Sequence, residues 1–344
     1  MSVAVLATEP DGSAYTEDLR AALGEFVRAR MPDAQVTGLQ RMAGGTGHET
    51  WAFALADEAG GITHSLVLRR NFEHGMLDGD PRVEFELLTE LDRAGIPVPR
   101  PWWCVTEDSP LEQPFMIVER LAGTDIRKHL AAHPDTDRAE LGRRLVALQA
   151  RLHHLDWRAR LPSLADPEPQ PRAELDRWTR AIETATDDPG PLLTTALDWL
   201  HAHPPEVRRR CLVHADFKTN NLIFGADGSI TVLDWELAHL GDPTEDLAWT
   251  MLWTTRFDLV GGLLTEREYL AAYEAESGTP VDPAVLLYWQ LFALVKLAAI
   301  FHTGSSRGIS PTLLLMGRAV HHIDAELGRL LPTVLRSPRG AGTP

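Results

Sequence analysis

The hydrophobic pattern changes character part-way along the chain. Between residues 35 and 120, short apolar or alternating runs (VTGLQRM, TWAFALA, HSLVLRR) are separated by the glycine-bearing stretches GGTGHE and DEAGGI. That pattern predicts antiparallel strands joined by turns. The stretch PRVEFELLTELDRAGIPVPRP breaks the rhythm. Val83, Leu87, Leu88 and Leu91 recur at helical spacing behind Pro81, and Gly95 and Pro97 stop the run, so one helix is predicted. Two more strands are expected near 102–106 and 114–120.

After Gly123 the pattern is mostly helical. LGRRLVALQARLHHL marks an amphipathic helix over 138–156, a Pro- and Asp-rich loop is expected over 161–175, and helices at about 244–256, 265–276, 283–303 and 311–331. The expected class is α+β, a bilobal arrangement of a small antiparallel β-sheet lobe and a larger helical lobe. The expected parts are a helical extension over 1–34, a nucleotide-binding lobe over 35–120, a catalytic and substrate-binding lobe over 121–335 and a flexible tail over 336–344. A cleft between two such lobes is a natural ligand site.

Charge narrows the partners. Against 33 Lys and Arg stand 49 Asp and Glu, a formal charge of −16, so the average surface repels a nucleic-acid duplex. No run is read as a membrane span, and no membrane partner is expected. MSVAVLATEPDG has neither the basic flank nor the long apolar core of a signal peptide. Cys104 and Cys211 are two lone cysteines in apolar surroundings, which implies a reducing cytoplasm rather than a disulfide framework.

The candidate chemistry lies in LVHADFKTNNLIF, residues 212–224. NLIF, the turn GADG and ITVL read as a hairpin with Asn221 at its entrance and Asp234 at its exit. A carboxamide oxygen beside a carboxylate makes a hard oxygen site suited to Mg²⁺, with phosphate oxygens and water completing the shell. Asp216 is placed to accept a proton from an attacking hydroxyl, and Lys218 to reach a transferring phosphoryl group. The spacing His-x-Asp-x-x-x-x-Asn agrees with a kinase catalytic loop, and Asp234-Trp235-Glu236 stands where the metal-binding Asp element would be. His214 is expected to hold the loop by hydrogen bonds.

The sheet-rich part should then hold the nucleotide. Gly44, Gly45 and Gly47 lie between two predicted strands, where main-chain N–H groups can cover phosphates. Thr50 stands where the third glycine of G-x-G-x-x-G would be, so an ordinary hairpin turn is the competing reading. Arg69 ends the strand LVLRR and is expected to meet the α and β phosphates, with Glu84 on the following helix holding it as an ion pair. The plainer reading makes these solvated surface charges. Main-chain groups of Glu119 to Leu121 are the expected adenine contacts.

VHADFKTNNLIF, VLDWELAHLGDPTEDLAW, VLRR and VEFELLTEL with GIPVPRP together resemble the aminoglycoside phosphotransferase family, a small-molecule branch of the protein-kinase-like fold. The resemblance covers roughly residues 35 to 330 and lies nearest the subgroup related to kinase-like domains fused to some acyl-CoA dehydrogenases. It implies ATP (or GTP) and Mg²⁺, with Asp216 as catalytic Asp and Asn221 and Asp234 as metal ligands. It also implies an Arg at the nucleotide-lysine position and a bracing role for Asp246.

A helix signal, DPTEDLAW, follows Asp234 within about ten residues, which leaves no room for a long activation segment and argues for a small-molecule hydroxyl acceptor over a protein substrate. WQLFALVKLAAIFHTGSSRG, mostly apolar and carrying the substrate-side candidates Lys296, His302 and Arg307, is one reading of the lining of a pocket for a hydrophobic alcohol or an anionic group such as a CoA thioester. A buried core helix with a polar end stands equally. Two functional classes stay open: an active O-phosphotransferase, and a catalytically silent nucleotide-binding or scaffold protein of the same fold.

Overall fold

A computed structural model of the chain describes residues 14–42, 48–71, 80–161, 171–252, 263–306 and 317–336. Gly44, Gly45, Gly47 and Arg307 lie outside the described residues. The described chain divides into two units, Met1–Asp125 with Leu222–Glu236, and Ile126–Asn221 with Leu237–Pro344.

In the first unit, Gln35–Arg41 (β1), His48–Ala56 (β2), Ile62–Asn71 (β3), Pro101–Val105 (β4) and Phe115–Glu119 (β5) form an antiparallel sheet in the order β1-β2-β3-β5-β4. Helix Ala14–Arg28 (α1) buries Leu19, Leu23, Phe26 and Val27 in a core shared with Leu39, Trp51, Phe53 and Phe115. Helix Pro81–Arg93 (α2) starts as its sequence dictates. The Asp80 carboxylate accepts the Arg82 N–H at 2.8 Å, and Pro81 takes the first turn, where its missing donor costs nothing. Gly95, at φ +72°, ends it in a conformation that suits glycine. Leu87, Leu88 and Leu91 are buried, and the helix packs beside β4 and β5.

A short hairpin, Leu222–Phe224 (β7) with Ile230–Val232 (β8), also belongs to this unit. Thr124 and Phe224 exchange main-chain hydrogen bonds at 3.0 and 2.8 Å, and the Val232 N–H donates to the Pro97 carbonyl at 2.9 Å. A Cβ on Gly123 would lie 2.5 Å from the Phe224 carbonyl oxygen, so only glycine fits this approach.

The second unit holds helices Ile126–Ala132 (α3), Arg138–His153 (α4), Trp157–Arg160 (α5), Arg172–Ala185 (α6), Pro191–Ala202 (α7), Pro243–Leu252 (α8), Glu266–Ser277 (α9), Pro283–Ser306 (α10) and Gly317–Arg336 (α11). A two-stranded ribbon pairs Cys211–Val213 (β6) with His239–Gly241 (β9). α10 packs against α6, α7, α8 and α11. Its residues Tyr288, Trp289, Leu291, Phe292, Val295 and Ala299 are fully or almost fully buried on several faces, as expected of a helix apolar all round.

Two expectations change. The loop expected over 161–175 gives way to helix at Arg172, because Leu175, Trp178 and Ile182 recur at helical spacing and are buried. Pro283–Gly304 is long and apolar enough to cross a bilayer by length and composition, against the reading that no run is. Most of it is buried inside the protein.

Candidate functional site

The residues singled out from the sequence fall into two sets, one in each unit. The first is the loop between β6 and a single 3₁₀ turn at Thr219–Asn221. Asp216 is fixed by donors of three kinds. Asn221 Nδ2 donates to Asp216 Oδ2 at 2.7 Å and to its main-chain oxygen at 3.0 Å. Trp249 Nε1 donates to Oδ1 at 2.8 Å, and Lys218 Nζ lies 2.8 Å from the same oxygen. Asp216 and Asn221 are each 7% exposed, so this carboxylate is both oriented and partly desolvated.

The loop is itself held under tension. Ala215 has φ +61°, a left-handed conformation that costs a non-glycine residue about 1–2 kcal/mol. The fully buried Asp246 holds it there, accepting the His214 N–H at 2.8 Å and the Ala215 N–H at 2.6 Å. Burial alone would raise the Asp246 pKa. The hydrogen bond from His153 at 3.1 Å, with charge and amide contacts at His214, brings it below the usual carboxylate value. The bracing role expected of Asp246 is thus seen directly. His214 is fully buried, and its Nδ1 accepts the Asp216 N–H at 3.1 Å, as expected of a structural histidine. Thr250 Oγ1 donates to the Phe217 carbonyl at 2.8 Å and closes the far side of the loop.

Sequence reading missed Trp249. The signal was available: it lies three positions after Asp246 in DLAW, on the same face of α8, so whatever Asp246 braces Trp249 also meets.

The second set belongs to the sheet-containing unit. Antiparallel register pairs Thr50 with Arg69 and Glu49 with Arg70, and strand alternation sends the two arginines to opposite faces. Arg70 is structural: it donates to Glu49 Oε2 through Nη2 at 2.6 Å and to the Leu111 carbonyl at 2.9 Å. Arg69 bonds Glu84 in the first turn of α2, and its Nη2 lies 3.6 Å from Asp234 Oδ1, 3.9 Å from Glu236 Oε2 and 3.3 Å from His48 Nδ1. Burial would lower the pKa of this guanidinium, but Glu84, then Asp234 and Glu236, raise it above its ordinary value. The expected Arg69–Glu84 ion pair is present. The carboxylates of Asp234 and Glu236 around it, and His48, were not foreseen.

Asp234 leaves β8 at φ +66°, a second strained non-glycine residue among these side chains. Its side chain is 38% exposed while that of Glu84 is 7% exposed, so Asp234 is the more open of these carboxylates. The expected hairpin is present, with Asn221 in the turn before β7 and Asp234 following β8. At the end of β5, the Glu119 N–H bonds the Arg100 carbonyl and the Arg120 N–H the Ser65 carbonyl, and Leu121 follows directly.

The expected substrate residues separate. Lys296 is 1% exposed and donates to the Ala215 carbonyl at 2.6 Å, behind the loop rather than in an open pocket. His302 lines a cavity of about 370 Å³ with Asp188, Leu193, Ala298, Ile323 and Asp324.

Residues 38–288 match the model of the phosphotransferase enzyme family, APH. The chain belongs to that family. Among curated relatives, this phosphotransferase-family chain is 27% identical over 286 residues to acyl-CoA dehydrogenase family member 10 of Mus musculus, across 77% of this chain and 26% of that protein. It spans about a quarter to a third of the length of the curated relatives it matches. A Ralstonia eutropha protein named for the aminoglycoside phosphotransferases shares its fold at TM-score 0.70 and 20% identity, over 91% of this chain and 98% of that one. Plasmodium vivax ethanolamine kinase does so at 0.62 and 11%, over 92% and 91%. An aminoglycoside phosphotransferase crystallised with AMP-PNP and hygromycin B does so at 0.55 and 20%, over 94% and 99%. At these identities the likeness is one of fold, the α+β protein-kinase-like class expected from the sequence.

Proposed function

We propose that this phosphotransferase-family chain is an ATP- (or GTP-) and Mg²⁺-dependent O-phosphotransferase, moving a γ-phosphoryl group to a hydroxyl of a small molecule. The observation that carries the reading is the fixation of Asp216. Donors from Asn221, Trp249 and Lys218 set both carboxylate oxygens, which a proton acceptor in phosphoryl transfer needs and a turn residue does not.

The donor set suits the cofactors. The Asn221 amide nitrogen faces Asp216, which turns its carbonyl oxygen the other way as a hard ligand. The Asp234 carboxylate supplies a second hard oxygen, and such oxygens are what Mg²⁺ selects. When bound, Mg²⁺ neutralises developing charge on the transferred group. In this reading Asp216 takes the hydroxyl proton and Lys218 offers positive charge beside it. Arg69, fixed by Glu84, contacts the nucleotide phosphates, with Glu119 to Leu121 receiving the base. Two free cysteines suit a reducing, cytoplasmic setting.

The acceptor is assigned as a small alcohol, with His302 and its cavity as the substrate-side candidate. Solved structures of the fold include enzymes named for aminoglycosides and for ethanolamine, so fold alone selects no acceptor.

Asp216→Asn is the test. Acceptor-independent, Mg²⁺-dependent ATP hydrolysis should be lost while nucleotide still binds. Unchanged turnover in that variant would sink the assignment. Metal-independent nucleotide binding by the wild type with no hydrolysis would favour the silent binding protein.

A further inference from the structure

Lys296 sits in the middle of α10, 1% exposed. Its Nζ donates to the carbonyl of Ala215 at 2.6 Å and lies 4.5 Å from the ring centroid of Trp249 and 5.6 Å from that of Trp178. Burying an ammonium is unfavourable, and a methionine would fill similar space without that cost. What lysine alone brings to this place is a charged donor aimed at one carbonyl.

That carbonyl belongs to the strained residue of the loop. The N–H of Ala215 is already held by Asp246 Oδ1 at 2.6 Å. The same left-handed residue is therefore gripped from α8 on its N–H and from α10 on its carbonyl. The carbonyl leads directly into Asp216, and the indole that lies against Lys296 is the one that donates to Asp216 Oδ1. Lys296 thus touches two neighbours of Asp216: the residue before it in the chain and the indole that donates to its Oδ1.

We propose that Lys296 is a positioning residue for phosphoryl transfer: with Asp246 it clamps the strained Ala215 residue and so sets the direction in which Asp216 leaves the loop. This rests on the phosphotransferase reading for its effect on turnover, though the clamp itself does not. Burial pulls the Lys296 pKa below its ordinary value, while Glu245, Glu174, Asp216 and Asp246 oppose that fall and stabilise the charged form. The sequence left Lys296 open between a substrate pocket and a buried core helix. Its place behind the loop makes it a support of the base instead.

The test is Lys296→Met, read by two independent quantities. Acceptor-independent ATP hydrolysis should fall about tenfold or more in kcat while KM for ATP stays within about twofold, because a support of Asp216 acts on the reacting geometry and not on nucleotide binding. Amide hydrogen exchange at Ala215 should quicken about tenfold or more while Cys211–Val213 in the adjoining strand keep wild-type rates. Unchanged exchange at Ala215 overturns the clamp. Equal acceleration at Ala215 and in the strand marks a purely structural role and overturns it too, as does faster exchange with unaltered kcat. If the wild type turns over no ATP, the phosphotransferase reading falls, and exchange at Ala215 alone decides the clamp. Should Lys296→Met not fold, Lys296→Gln is read by the same exchange measurement.

Discussion

Trp249 Nε1 donates to Asp216 Oδ1 across 33 positions of sequence, at 2.8 Å, with both residues buried. Trp249→Phe keeps the ring and removes that donor. Loss of one buried hydrogen bond is expected to cost about 1–2 kcal/mol in urea unfolding. A carboxylate that has lost one of its three fixing donors should lower kcat for ATP hydrolysis about tenfold. Wild-type turnover in this variant would show that the indole does not set the carboxylate.

Asp246 is the acceptor for two loop amides and for His153. Asp246→Ala strands all three donors in a buried place. Destabilisation of about 3–5 kcal/mol is expected, the range for breaking a buried charged network by removing one partner. Urea denaturation checks it, and a loss below about 1 kcal/mol would mean that water repairs the site.

Arg69 and Glu84 offer a way to separate stability from binding. Arg69→Met alone leaves Glu84 buried and unpaired, and should cost about 3–5 kcal/mol. Adding Glu84→Leu removes the orphaned charge and should recover most of that stability. On the proposed reading, nucleotide affinity should remain weakened in both variants, because Arg69 is the proposed phosphate contact and is absent from both. Titration of ATP against each variant, beside a urea melt, distinguishes the two effects.

His239 gives the chain a pH-dependent stability. Burial would lower its pKa, but Glu245, with Nε2 to Oε2 at 3.1 Å, and Glu174 push it up to about 9. Its folded-state pKa therefore exceeds the unfolded value of 6.5. The stabilisation is complete below about pH 6.5 and is lost as pH rises through about 9. Unfolding free energy should fall by on the order of 2–3 kcal/mol across that window. His239→Gln should flatten the slope, and an identical slope in that variant would place the titration elsewhere.

Much of the loop and sheet was legible because their signals are local. His214, Asp216, Asn221 and the hairpin lie within a few residues of one another, and Arg69 and Glu84 flank a single strand-to-helix step. What escaped reading depends on contacts remote in sequence. β9 is three residues long and pairs with β6 from another part of the chain, so no periodicity announces it. α10 is apolar on every face, so its pattern gave no direction for Lys296, and a lone cation in an apolar helix looked like a pocket residue. His48 reaches Arg69 across the β2–β3 register, and Glu236 meets both because the hairpin docks beside the sheet by main-chain bonds at Thr124 and Pro97.

The apolar character of α10 also bears on how the chain is made. A segment that would pass for a bilayer span emerges from synthesis as an aggregation hazard unless its cover is already present. Among the described residues, its packing partners α6, α7 and α8 precede it in the chain and α11 follows. The order of the described elements therefore places most of the cradle for this apolar segment ahead of it in the chain.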